Sequence, residues 1–359
     1  MRKEFKNFKE QIEYLKDNKK IIVDKEDEHY FKDYCYATLI NPYKEIFADG
    51  KTNSVHIYKQ ENSFKDIIWL NNLNKDFSQY LYRKIGIFES KLKVQLITEV
   101  CNIFVNEEPN DIFCIKYIEE IKTFLSDKKV SDFMNNDIEL NEGFVNDVKD
   151  IVPRFCSNLF YSMDKNGTYV LDKFNFKRKI SLLEKIYENG IGETFNGEKV
   201  QGLNSLIKHY HKTQKICPLW IIANCLTFGD LISLFLILKR KSQENVINSM
   251  RAKKVKNSKD IVSFLGTLED IRKLRNTINH YEPLIPLLKN GINKVRNIKS
   301  NKLIIIILEL SNLERCANNF ISIEDILKNV DIFIKHSQSS AVKIYIEIIK
   351  IMLNILKFS

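Results

Sequence analysis

The chain has 359 residues, is 44% apolar and carries a formal net charge of +10. That is apolar enough for a sizeable core, and the basic balance suits a nucleic-acid partner. Its seven cysteines are odd in number with no C-x-x-C pair, which argues against a disulfide framework or a zinc site and reads as reduced, cytoplasmic core thiols.

The opening M-R-K-E-F-K-N-F lacks the apolar region of a signal peptide. Phe5 to Asn18 predicts a short amphipathic helix with Phe8, Ile12 and Leu15 on one face; Lys19 to Asp24 follows as an extended piece. Asp27 to Phe47 predicts a helix broken at Pro42, and Asp49-Gly50 with Thr52-Asn53 predicts a loop. Phe64 to Phe104 is the strongest helical stretch of the first half. Phe64, Ile67, Ile68, Leu70, Leu73, Phe77, Leu81, Ile85, Phe88, Leu92 and Leu96 keep the helical period, with Gly86 a weak point.

The middle section predicts helices near Asp111–Leu125, Phe144–Phe160 and Phe176–Tyr187, with a short extended piece at Thr168–Leu171. Further on, Leu219–Leu238 is apolar but interrupted by Asn224, Gly229 and Asp230, and Leu303–Leu310 is too short to span a bilayer. No membrane contact is expected. Trp220, just after Pro218, predicts a packing anchor. Leu303–Phe320, Ser322–His336 and Ala341–Phe358 predict three closing helices. The expected fold is all-α, organised as residues 1–105, a middle section or insertion at 106–200, a helical part at 201–299 and C-terminal helices at 300–359.

One stretch carries chemistry. Thr267 to His280 (T-L-E-D-I-R-K-L-R-N-T-I-N-H) predicts a helix capped by Thr267 with Asp270 three residues on, ending near Tyr281 before Pro283. Leu268, Ile271, Leu274 and Ile278 form its apolar stripe. Arg272, Asn276 and His280 are spaced four apart and stack in one line, with Arg275 and Asn279 beside them. Arginine grips a phosphate through two N–H groups, an amide bonds its oxygens or a 2′-OH, and an imidazole moves protons near neutral pH. This face therefore suits an RNA phosphate, although an exposed helix face is also commonly just solvated.

Two basic segments flank it. Residues 251–259, with Arg251, Lys253, Lys254 and Lys256, read either as a solvated loop or as a patch tracking phosphates. Residues 289–302 are basic too. His29, His56 and His336 are isolated. His209 and His211 form H-Y-H, but on a helix that spacing does not gather a metal, and no metal is expected. With no G-x-x-x-x-G-K-S/T, G-x-G-x-x-G or G-x-S-x-G, no nucleotide cofactor or serine-hydrolase chemistry is expected either. No cofactor is expected of any kind.

The run Arg275-Asn276-Thr277-Ile278-Asn279-His280 resembles the R-N-x-x-x-H signature of the HEPN superfamily. Other stretches resemble abortive-infection proteins of the AbiD/AbiF group: residues 5–24; Tyr34–Phe47; Ser63–Gln95 with Asp76 and Glu89; and Ile207–Lys239 with His209, Tyr210, Pro218, Trp220, Phe228, Gly229 and Leu231. Lys91 and Lys93 stand where that group has arginine after the glutamate, and Asn224 stands near its usual acidic residue. Residues 106–200 match poorly.

The resemblance implies a HEPN-like helical bundle with helical additions at both ends, phage defence, and metal-independent RNA cleavage by the substrate's own 2′-OH. Arg275 would hold the scissile phosphate, Asn276 would orient it or the imidazole, and His280 would act as acid or base. Arg272, Asn279, Arg251, Lys253, Lys254 and Lys256 would bind RNA. With one motif per chain, the resemblance implies a homodimer with a composite site. The alternative is a non-cleaving effector that holds a structured noncoding RNA.

Overall fold

The computed structural model describes residues 5–52, 55–58, 63–107, 116–135, 140–194, 197–214, 216–251, 254–284 and 323–336, together with Lys343, Glu347 and Lys350. The fold is all-α, with two small antiparallel hairpins among the described residues. The chain divides into two compact units, one of Met1–Gly86 with Asp270–Ser359 and one of Ile87–Glu269.

The first unit opens on α1 (Phe8–Lys19). Asn7 and Glu10 cap it reciprocally, each side chain accepting from the other's backbone N–H. Asp27–Phe47 is not one helix but a series of single turns at Lys25–Asp27, Tyr30–Asp33, Tyr36–Leu39, Asn41–Tyr43 and Lys44–Phe47. Pro42 and the extended backbone of Tyr34 and Cys35 interrupt the helical hydrogen bonding.

The expected loop after Phe47 is instead a hairpin. β1 (Ala48–Thr52) pairs antiparallel with β2 (Val55–Tyr58), with an irregularity between Ala48 and Gly50. The V-H-I-Y run alternates as a half-buried strand would, a signal that the neighbouring Asp-Gly hides.

α2 (Phe64–Glu107) is one helix of 44 residues, roughly 66 Å long at 1.5 Å per residue. All eleven apolar positions expected of it are buried. Gly86 does not break it; the residue is exposed, and a side chain there would meet nothing within 4 Å. The first half of α2 belongs to the first unit and the second half to the second.

The second unit continues with α3 (Lys116–Ser126), α4 (Lys128–Asn135) and α5 (Glu142–Val148). The helix expected at Phe144–Phe160 ends at Val148, followed by one tight turn and Pro153. β3 (Tyr161–Met163) and β4 (Tyr169–Leu171) form the second hairpin, and β4 coincides with the expected extended piece. Next come α6 (Phe176–Ile191), α7 (Ser205–Gln214), α8 (Phe228–Ile237) and α9 (Arg240–Met250). Phe133, Phe144, Phe160 and Phe176 form one aromatic cluster, with ring centroids 4.7–6.2 Å apart.

A buried ion pair anchors the second hairpin. Lys179, fully buried on α6, lies 3.0 Å from Asp172 and donates to the carbonyls of Asn158 and Tyr161 at 3.1 and 2.8 Å. Ser162 donates to the same carboxylate. Burial pushes the Asp172 carboxyl up, but the Ser162 hydroxyl and the Lys179 ammonium outweigh it and hold the group below its usual value.

The last described helices are α10 (Ser258–Asn279) and α11 (Ile323–His336). Leu303–Phe320 lies outside the described residues. Of Ala341–Phe358 only Lys343, Glu347 and Lys350 are described, each helical. Lys350 pairs with Asp331 of α11 at 2.6 Å. No helix among the described residues is long and apolar enough to cross a membrane.

Candidate functional site

The chemistry-bearing helix is longer than its sequence suggests. α10 starts at Ser258, nine residues before Thr267. The cap is Asn257: its side chain accepts from the Lys259 N–H at 2.9 Å, while Asp260 accepts from the N–H groups of Asn257 and Lys256 at 3.2 and 2.7 Å. Thr267 sits mid-helix and returns its hydroxyl to the Ser263 carbonyl at 3.1 Å. Gly266, just before it, does not break the helix, and a side chain there would meet nothing within 4 Å.

The buried stripe is as expected: Leu268, Ile271 and Leu274 are fully buried and Ile278 nearly so. Thr277 joins it, its hydroxyl bonded to the Lys273 carbonyl at 2.9 Å.

The other side carries the five candidate groups of this helix. Because α10 stays helical through Asn279, Arg272, Asn276 and His280 lie along one line and Arg275 and Asn279 along the next. Arg272, Arg275 and Asn276 are half-buried, whereas Asn279 and His280 are exposed. All five belong to the unit of Met1–Gly86 with Asp270–Ser359. An acidic neighbour is present too: Asp270, nearly buried, lies 3.7 Å from Lys273.

The helix ends in a Schellman motif. The Tyr281 N–H donates to the Ile278 carbonyl at 2.9 Å and the Glu282 N–H to the Thr277 carbonyl at 3.1 Å. Tyr281 holds the left-handed position with φ +55°, and its ring is 86% exposed. The departing chain is then fixed, because the Leu284 N–H donates to Asn74 of α2 at 2.5 Å and both Pro283 and Leu284 are buried. Sequence reasoning did not single out Tyr281; its signal is the position two residues before Pro283.

The basic segment lies in the unit of Ile87–Glu269. Arg251 stacks its guanidinium on Phe264 at 5.0 Å and donates to Thr267 at 3.4 Å, so part of its side chain serves the fold. Lys254 and Lys256 are exposed. Lys253 and residues 289–302 lie outside the described residues.

His211 hydrogen-bonds the Asn189 carbonyl at 3.0 Å, and His209 is exposed. Trp220 is 38% exposed and so is no deep anchor; Leu219 and Ile222 take the inner face of its short helix. Cys156 and Cys217 are buried, and burial pushes the Cys217 thiol up to about 12. Cys35, by contrast, is exposed and is not a core thiol.

The carboxylates of Asp24, Glu26 and Asp27 lie within 4.8 Å of one another. The Lys65 ammonium already bridges two of them, at 3.1 Å from Asp24 and 2.9 Å from Glu26.

The family model of Abi-like proteins matches residues 29–286, well over half the chain and through the end of α10. The chain belongs to the Abi-like protein family. Residues 5–24 lie before the matched range, while Tyr34–Phe47, Ser63–Gln95 and Ile207–Lys239 fall inside it. Abi-like membership makes the coarse role abortive infection, a form of phage defence. No curated protein and no solved structure matches the chain.

Proposed function

We propose that this Abi-like protein is an endoribonuclease of the HEPN kind. It would cleave RNA without a metal, and Arg275, Asn276 and His280 would carry the reaction. The observation that carries this reading is the split of α10. One face is sunk in the core, and the opposite face ends in an exposed imidazole one helical turn from Asn276 and next to the Arg275–Asn279 line.

The chemistry balances on those groups. The 2′-oxygen bonds to phosphorus while the bond from phosphorus to the 5′-oxygen breaks. The 2′-OH proton leaves to a base and the 5′-oxygen receives one from an acid, giving a cyclic phosphate and a 5′-OH. His280 serves as base or acid. Arg275 neutralises the charge that develops on the phosphate oxygens. Asn276 fixes the orientation of phosphate or imidazole.

One motif supplies one imidazole, whereas the reaction uses both an acid and a base. A homodimer bringing two such edges together supplies both. Arg272 and Asn279 would hold phosphates of the strand, and Arg251, Lys253, Lys254 and Lys256 in the other unit would bind RNA as well.

The exposed Lys254 and Lys256 favour one second reading, a non-cleaving effector holding a structured noncoding RNA. One experiment separates the two. Labelled single-stranded RNA is mixed with the full-length protein in EDTA, beside His280→Ala. Cleavage by the wild type that the variant lacks supports the nuclease. Tight binding with cleavage by neither rejects the nuclease and supports the effector.

A further inference from the structure

We propose that Tyr281 is a stacking platform for a nucleobase of single-stranded RNA, placed beside the His280 edge; this rests on the nuclease reading above.

The first observation is conformational. Tyr281 adopts φ +55° to close the Schellman motif. Glycine takes this position without steric cost, whereas any residue with a Cβ is strained there. The chain places one of its largest side chains at the position best suited to none.

The second is exposure. The ring is 86% exposed, and no ring contact, cation–π contact or side-chain hydrogen bond involves it among the described residues. It therefore contributes nothing to the core that would offset the strain. Strained residues held by well-determined surroundings cluster at functional sites.

The third is rigidity. The backbone is tied by the Tyr281 N–H on the Ile278 carbonyl and, just after it, by the Glu282-to-Thr277 bond and by Leu284 on Asn74. With its backbone fixed, the tyrosine has only its two side-chain torsions to lose when a planar ligand settles on the ring.

Position then chooses the ligand. The ring follows His280 directly, so its Cα lies about 3.8 Å along the chain from that of the imidazole. A base flanking the scissile phosphate is the planar group that comes within reach. Stacking is tolerant of sequence because every base has a π-face, and it requires an unpaired strand. The proposal thus narrows the substrate to single-stranded RNA, held through one base at Tyr281.

The test uses the full-length protein and single-stranded oligoribonucleotides carrying 2-aminopurine at successive positions, whose fluorescence drops on stacking. Tyr281→Gly, Tyr281→Leu and Tyr281→Trp are compared with wild type and with His280→Ala for affinity, quenching, cleavage and thermal melting. Tyr281→Gly is expected to melt no lower than wild type, to bind roughly 10- to 100-fold more weakly and to lose the quench. Tyr281→Leu loses the quench as well, while Tyr281→Trp keeps both signals. Wild-type affinity and quench in Tyr281→Gly would overturn the platform alone, provided His280→Ala still abolishes cleavage. A wild type that neither binds nor cleaves the RNA would overturn the functional reading and the platform with it.

Discussion

The two ends of α10 solve the same problem differently. At the Ser258 end, polar side chains answer the helix's own backbone and neighbouring charges. Asn257 and Asp260 cap the first turn, Thr267 bonds Ser263, and Glu269 pairs with Arg178 at 3.2 Å. At the Asn279 end the turn closes through backbone bonds alone, and Asn279, His280 and Tyr281 face solvent. A helix terminus whose backbone is already satisfied releases its side chains for another molecule.

His280→Ala has the largest expected effect at the exposed end. Removing a general acid or base lowers a rate by about 10²–10⁴-fold. An exposed side chain contributes within about 0.5 kcal/mol of stability. The expected outcome is a collapse of RNA cleavage with an unchanged urea midpoint. A variant that unfolds instead would place His280 in the fold and erase the contrast between the two ends.

Asp172→Asn tests the other kind of polar group. It leaves the Lys179 ammonium buried without its counter-charge, which costs about 3–5 kcal/mol. Urea unfolding should show this loss, while cleavage per folded molecule stays at the wild-type level. The pH dependence has a definite sign. Because the folded carboxyl lies below its usual value, the pair's contribution is complete above pH ~4 and is lost as pH falls through the folded value. Asp172→Asn should therefore flatten the acid limb of the stability curve.

The first end of α10 also shows how far its residues could be read in advance. Leu268, Ile271, Leu274 and Ile278 announced the buried face because apolar spacing survives any choice of boundary. The start was misplaced because T-L-E-D imitates a capping box, and the real cap, N-S-K-D at Asn257, lies in a segment that reads as basic loop. Tyr281 was invisible for another reason. Left-handed backbone at a tyrosine follows from tertiary constraint at Pro283 and Leu284, not from local preference. The Asp172–Lys179 pair likewise depends on a hairpin meeting a helix, which spacing along the chain does not encode. Asn257→Ala checks the corrected start and should cost about 1 kcal/mol in urea unfolding.

The smallest effect is the most pointed. Gly266 lies between the two ends of α10, exposed and helical, with no neighbour that an added methyl would strike. Alanine there improves helix propensity and restricts the unfolded chain, so Gly266→Ala should stabilise by about 0.5–1 kcal/mol. Gly86 of α2 has the same surroundings and serves as the control. If the Asn279 end works as a fixed edge, both alanine variants gain stability and cleave at the wild-type rate. If Gly266→Ala alone gains stability and loses rate, the helix must bend between its halves during turnover. The exposed edge would then be one position of a moving element, and the comparison of two fixed ends would have to be replaced by one between two states.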